Sequence, residues 1–261
     1  GRYGDVLIVS DLVNMKVDVV ISAGEVIAEH GKWAIELPMF EYPAEVKQSV
    51  KLGKMLKAED FNVPNPKSQK PNSKVRARVI GVIEDHLPTR SLELDLPTKD
   101  GLVQIDVSQD VCKLALVERH RGTSGVQIGF VHGFGFRGAC AVASTVAHDS
   151  HHMIVVGTDD AAMAMAANEL AKRQGGMLVV KSSAVIASGE MPIAGLMSDE
   201  RCEVVAAKAD RVLAAFRECG CAMNNANIQV SFLALVVIPE LRISDLGLVD
   251  VTKFERVSVL I

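Results

Sequence analysis

The sequence predicts an α+β fold, a mixed β-sheet domain with packed helices, preceded by a small β-rich appendage. Three observations carry that reading. Short β-branched runs recur along the chain, several with strict apolar–polar alternation. Two stretches, 158–176 and 198–220, show helical spacing of apolar residues between cap and stop residues. Strand, helix and strand follow one another over residues 153–181, the order of a β-α-β crossover.

The elements follow in order. Residues 5–9 (DVLIV) form an apolar strand, and the alternating residues 16–21 (KVDVVI) form a second. Ala23-Gly24 turns the chain into a return strand at 25–28, closed at Gly31-Lys32. This unit is too small to be stable alone. Residues 42–56 hold a short helix. Residues 62–74 (NVPNPKSQKPNSK) carry three prolines, which fix several φ angles, and almost nothing to bury, so they read as a linker. Strands are predicted at 74–84, 91–96, 111–118 and 126–131, then at 139–147 and 153–156. Thr158 is placed as the cap of the first helix, with Asp159 and Asp160 at its positive end. Met163, Ala166, Ala167 and Leu170 form its apolar face, and Gly175-Gly176 stop it. A strand follows at 177–181, then a weakly apolar stretch at 183–189. Residues 191–198 (MPIAGLMS) are apolar yet irregular, read either as a lid or interface segment or as plain core. Ser198 is placed as the cap of the second helix, which buries Val204, Val205, Ala209, Val212, Leu213 and Phe216 and ends at Gly220. Residues 228–238 form a long β-prone run. Short strands surround Asp245 and Asp250, whose ordinary roles are turn and cap.

Composition bounds the function. With 261 residues and 49% hydrophobic content, the chain can bury a sizeable core. A net charge of −4 and 4% aromatic content argue against a nucleic-acid surface. No run of about 18 apolar residues reads as a membrane span. No signal peptide is expected. Five cysteines without a CxxC motif read as reduced, mostly buried thiols of a cytoplasmic protein, Cys219 and Cys221 being only a minor metal or redox option. The chain opens on Gly1 and enters strand-like sequence at once, which reads as a start part-way through a longer protein.

Chemistry concentrates at residues 138–157 (GACAVASTVAHDSHHMIVVG). Two strands flank a polar knot holding three of the seven histidines: His148, Asp149, Ser150, His151 and His152. Three readings stand side by side. The loop shapes a substrate pocket through His148, Asp149, Ser150 and His151. Alternatively, Asp149 and Ser150 cap a turn while the imidazoles satisfy buried backbone. As a third reading, His148, His151 and His152 bind a metal, with His148 and His152 the candidate ligands. In an extended strand, His148, Ser150 and His152 would share one face and Asp149 and His151 the other. His132, in the glycine-rich run GFVHGFGFRG, is either a second pocket contact or packed in its turn, and Arg137 behind it is a possible partner of Asp149.

ASTVAHDSHH, IVVGTDD, QGG, MPIAGLMSDE and IPELRISDLGLVDV, in that order, resemble the carboxy-terminal domain of prokaryotic adenine deaminase. GDVLIVSDL and VVISAGEVIAEHGK resemble the β segment that follows the catalytic barrel in the amidohydrolase superfamily. The resemblance implies an appendage at 1–61 belonging to a composite β-sandwich domain, a linker at 62–74, and a carboxy-terminal α+β domain at 75–261. It implies a metal-dependent hydrolase converting adenine and water to hypoxanthine and ammonia, with a manganese, iron or zinc ion in the barrel. The chain has no His-x-His pair and no room for a barrel of about 250 residues. The missing amino-terminal barrel is therefore its expected partner, no cofactor is expected in the chain itself, and the isolated chain is expected to be inactive. At the position of His152 the family pattern reads Asn. The rival reading is a non-catalytic accessory domain for assembly, and a homo-oligomer is expected.

Overall fold

The computed structural model describes residues 2–38, 40–65 and 73–261. Of the expected linker, residues 66–72 lie outside the described residues. The chain divides into two compact units, Gly1–Tyr42 and Pro43–Ile261. This division precedes the expected boundary, because Leu56, Phe61 and Val63 are buried in the cores of the larger unit. Residues 43–61 therefore go with the larger unit, and their expected short helix is a 3-10 turn at Ala44–Lys47.

The small unit is an antiparallel meander of β1 (Val6–Asp11), β2 (Lys16–Ser22), β3 (Glu25–Glu29) and β4 (Lys32–Trp33). Ala23 and Gly24 both adopt positive φ, the geometry of a tight hairpin turn whose twist matches the strands. The Asp5 carboxylate accepts hydrogen bonds from the Ser22 hydroxyl and the Ala23 amide, fixing the turn. Val6, Leu7, Ile8, Leu12, Val13 and Met15 are exposed.

The larger unit is built on a nine-stranded sheet. Its strands are β5 (Lys74–Gly81), β6 (Arg90–Lys99), β7 (Leu102–Val103), β8 (Val111–Val117), β9 (Val126–His132), β10 (Cys140–Ser144), β11 (Met153–Gly157), β12 (Gly176–Lys181) and β13 (Ala184–Glu190). Their order is β13-β12-β10-β11-β8-β9-β5-β6-β7, antiparallel except for the parallel pair β5–β9. The central strands are covered on both faces. Leu114, Leu116, Ile154 and Val156 face one apolar cluster, with α2 (Cys202–Glu218) and α3 (Ala226–Phe232), while Ala115, Val117, Met153 and Val155 face another, with α1 (Asp160–Lys172). Period-two alternation thus serves two cores rather than a core and solvent. A three-stranded sheet of β14 (Leu241–Ser244), β15 (Gly247–Asp250) and β16 (Glu255–Arg256) completes the unit.

The crossover is present in split form. β11 and β12 run parallel with β10 hydrogen-bonded between them, and α1 joins them. The cap of α1 is Asp159, whose carboxylate accepts from the Ala162 amide at 2.8 Å, rather than Thr158. The Thr158 hydroxyl is engaged by the Gly138 carbonyl and the Cys140 amide. The second helix starts later than expected, with Arg201 at its cap. Ser198 instead accepts from the Glu200 amide in the preceding turn. Val204 and Ala209 are exposed. Lys208 binds Glu190 at the end of β13, and Lys181 at the end of β12 binds the Glu218 carbonyl, so the first turns of α2 run beyond the strands. The stretch at 183–189 is strand β13. The β-prone run 228–238 is α3 followed by turns, because Ala226, Val230, Leu233 and Ala234 meet the core at helical spacing. All five cysteines are free, and all but Cys202 are buried.

Candidate functional site

One end of the large sheet gathers several loops. Ser144 ends β10 opposite Ile154, Met153 starts β11 opposite Val117, and Val117 ends β8 opposite Val126. The histidine loop 145–152 and the loop 118–125 therefore emerge side by side. Every residue of β10 and β11 is buried, so the histidine loop is mounted on rigid strands.

The loop is a closed turn and not an extension of the strands. The His151 amide donates to the Ala147 carbonyl at 2.7 Å, His151 has φ of +50°, and the His148 amide donates to the Ser231 carbonyl at the end of α3. Asp149 and Ser150 are exposed at the tip, while His148 and His151 are half-buried and His152 is 8% exposed. The expected two-face alternation is lost in this turn. The His148 and His151 rings sit 5.5 Å apart, with Phe232 5.6 Å from His148. The His152 ring instead packs 4.7 Å from His120.

Residues from outside the knot complete the site. A ring nitrogen of His120, Nε2, lies 2.9 Å from the Ser150 carbonyl, and His152 Nε2 lies 3.8 Å from Asp245 Oδ2. Glu118 accepts from the amides of His120, Arg121 and Thr123 and from the Thr123 hydroxyl. Burial opposes its charge, but these donors outweigh burial and hold its carboxyl down to about 2. A pocket of about 360 Å³ lies here, lined by Glu118, His120, Arg121, Thr123, His152 and Asp245 among others. That size suits a small molecule.

Burial, then the neighbouring imidazoles and Arg119, lower the pKa values of His151 and His152, favouring neutral rings. Among the described residues, the Nδ1 atoms of His148, His151 and His152 are buried without a hydrogen-bond partner. Neutral imidazoles beside an exposed carboxylate can exchange protons or hydrogen bonds with a ligand.

Among the described residues, no group of three or more His, Cys, Asp and Glu side chains is placed to hold an ion, at His148, His151 and His152 or at Cys219 and Cys221. His132 is not part of the cluster. It ends β9 opposite Val111, whereas the loop lies at the Val117 end, a strand length of about 20 Å away. Arg137 is exposed beside Gly220, with its amide on the Cys219 carbonyl, and forms no ion pair with Asp149. The irregular 191–198 segment is anchored through its backbone. Ala194 bonds Val46 and Arg119, and the Gly195 carbonyl accepts from Thr145.

Arg119, His120 and Asp245 went unseen as site residues in the sequence. They reach the knot only through the β11–β8 pairing and the turn between β14 and β15. The clustering of polar residues in RHRGTSG was the available signal.

The family model described as "Adenine deaminase C-terminal domain" matches residues 86–255. The chain is 55% identical over all 261 residues to "Adenine deaminase" of Mesorhizobium japonicum. It is 52% identical over 261 residues to "Adenine deaminase 3" of Rhizobium meliloti, and 43% identical over 260 residues to "Adenine deaminase" of Moorella thermoacetica. In each case all of this chain is covered, and it spans 43% of the relative's length.

Proposed function

Because the chain belongs to the adenine deaminase C-terminal domain family, we propose that it is the carboxy-terminal part of an adenine deaminase, which converts adenine and water to hypoxanthine and ammonia. In this reading an amino-terminal barrel holds the divalent metal, manganese, iron or zinc, and the present chain supplies the second wall of the purine site. The supporting observation is the histidine loop, with Asp149 and Ser150 exposed at its tip and its imidazoles behind them, next to a polar pocket. Asp149 and Ser150 would hydrogen-bond purine ring nitrogens, and His148 and His151 would orient them. The proposed compartment is the cytoplasm. Among the described residues, no helix is long and apolar enough to cross a membrane.

The test uses the full-length protein. Replacing His148 and Asp149 by alanine is expected to lower adenine-dependent ammonia release by about a hundredfold or more, with the thermal melt kept. Unchanged turnover in a folded variant would refute the pocket role. The 261-residue chain alone, given adenine and manganese, iron or zinc, is expected to release no more than a trace of ammonia.

A second reading, assembly, is favoured by the exposed apolar strand residues Val6, Leu7 and Ile8 of the small unit. On the main reading those strands join the composite β domain that follows the barrel. On the assembly reading they also hold copies together in a homo-oligomer. Light scattering of the full-length protein with Leu7→Ser and with Leu12→Ser distinguishes the two.

A further inference from the structure

Arg119 is 1% exposed, yet among the described residues no carboxylate forms an ion pair with it. A buried guanidinium without a counter-charge is costly to keep. Its donors go to oxygens in three separate segments. Nε donates to the His151 carbonyl at 2.6 Å, Nη1 to the carbonyl and hydroxyl of Ser49 at 3.4 and 3.3 Å, and Nη2 to the Ala194 carbonyl at 3.1 Å.

These bonds close a circuit. At the start of the histidine loop, the Thr145 hydroxyl donates to the Gly195 carbonyl at 2.6 Å. At its end, the His151 carbonyl is held by Arg119, which also holds Ala194, the neighbour of Gly195. Both ends of the loop are thereby tied to the 191–198 segment. Gly195 is shaped for this approach. A Cβ there would lie 2.9 Å from Arg119 Nη1 and 3.0 Å from Cζ, and its φ is +73°. The residue whose carbonyl Arg119 grips, His151, is itself at a positive φ that non-glycine residues rarely adopt.

We propose that Arg119 is the positioning residue of the histidine loop, its planar fork holding the His151 carbonyl against the 191–198 segment so that the loop presents Asp149 and Ser150 outward with the imidazoles packed behind. Its bearing on catalysis rests on the pocket role given above, but its bearing on loop geometry does not. The fork, and not the charge, does this work. Lysine keeps the charge but cannot reach three segments at fixed angles.

The experiment compares the full-length protein with Arg119→Lys and Gly195→Ala. Amide deuterium exchange is read by mass spectrometry on peptides covering 145–152, 191–198 and, as an internal control, β12. Expected is exchange about tenfold faster in the first two segments with β12 unchanged, and kcat for adenine down about tenfold with KM within about twofold. Faster loop exchange with unchanged kcat would sustain the positioning role and sink the pocket role. Loop exchange unchanged in folded Arg119→Lys would overturn the proposal. If Arg119→Lys does not fold, Gly195→Ala decides by the same readout, since its added methyl presses on the same fork.

Discussion

The imidazoles at 151 and 152 sit where a positive charge is penalised. Burial is the first cause, and each ring then faces another imidazole and the Arg119 guanidinium, with Asp149 opposing at His151 and Asp245 and Glu118 at His152. Their folded pKa values therefore lie below the ordinary histidine value of about 6.5. As pH falls through that value the unfolded chain takes up protons first, so stability drops. It is fully present above about pH 7 and declines toward pH 5.5. The carboxylates lose their contribution in a lower window. Glu118 and Glu190 are both held down to about 2, and the strengthening they give fades only as pH falls below about 4.5. Urea midpoints measured from pH 8 to 5.5 should fall, and His152→Asn should flatten part of that fall. A midpoint that is level or rises toward pH 5.5 would contradict the burial of neutral rings.

At the scale of elements, close approach decides what the joint between β11 and α1 tolerates. A Cβ on Gly157 would meet Met163 Cγ at 2.6 Å, Ala141 Cβ at 2.9 Å and the Cys140 carbonyl at 2.9 Å. None of these is the free end of an exposed side chain, so Gly157→Ala should cost about 1–3 kcal/mol by overpacking, read from chemical denaturation. A loss under about 0.5 kcal/mol would mean that the helix can shift away from the sheet. The same elements show what sequence reveals. β5 is legible because Val75 and Ala77 alternate with the outward Lys74 and Arg76, and β8 and β11 because apolar layers on both faces demand short apolar runs. Helix α1 was legible from its acidic start and glycine stop, although Asp159 took the cap expected of Thr158. Helix α3 was not legible. It has seven residues, too few for a periodic signal, and Ile228 and Val230 favour strands locally until the core selects Ala226, Val230 and Leu233. In the site, the knot itself stood out in sequence. Its partners Arg119, His120 and Asp245 did not, since strand order brings them together from far along the chain.

At the scale of the whole molecule, burial is concentrated in one unit. All three apolar clusters lie between Val50 and Leu260, and none includes a residue of Gly1–Tyr42. The small unit buries no hydrophobic side chain among the described residues; its strands hold by ladder bonds and partly covered residues. The free energy of the larger unit should then be nearly independent of the first 42 residues. A chain starting at Pro43 is expected to melt cooperatively, within a few degrees of the 261-residue chain, by calorimetry. The contacts that hold the histidine loop, from Ser231, Arg119, His120, Ala147 and Thr145, lie within that unit, so its amide exchange should also be unchanged. Loss of the cooperative transition would show that the meander contributes to the core of the larger unit.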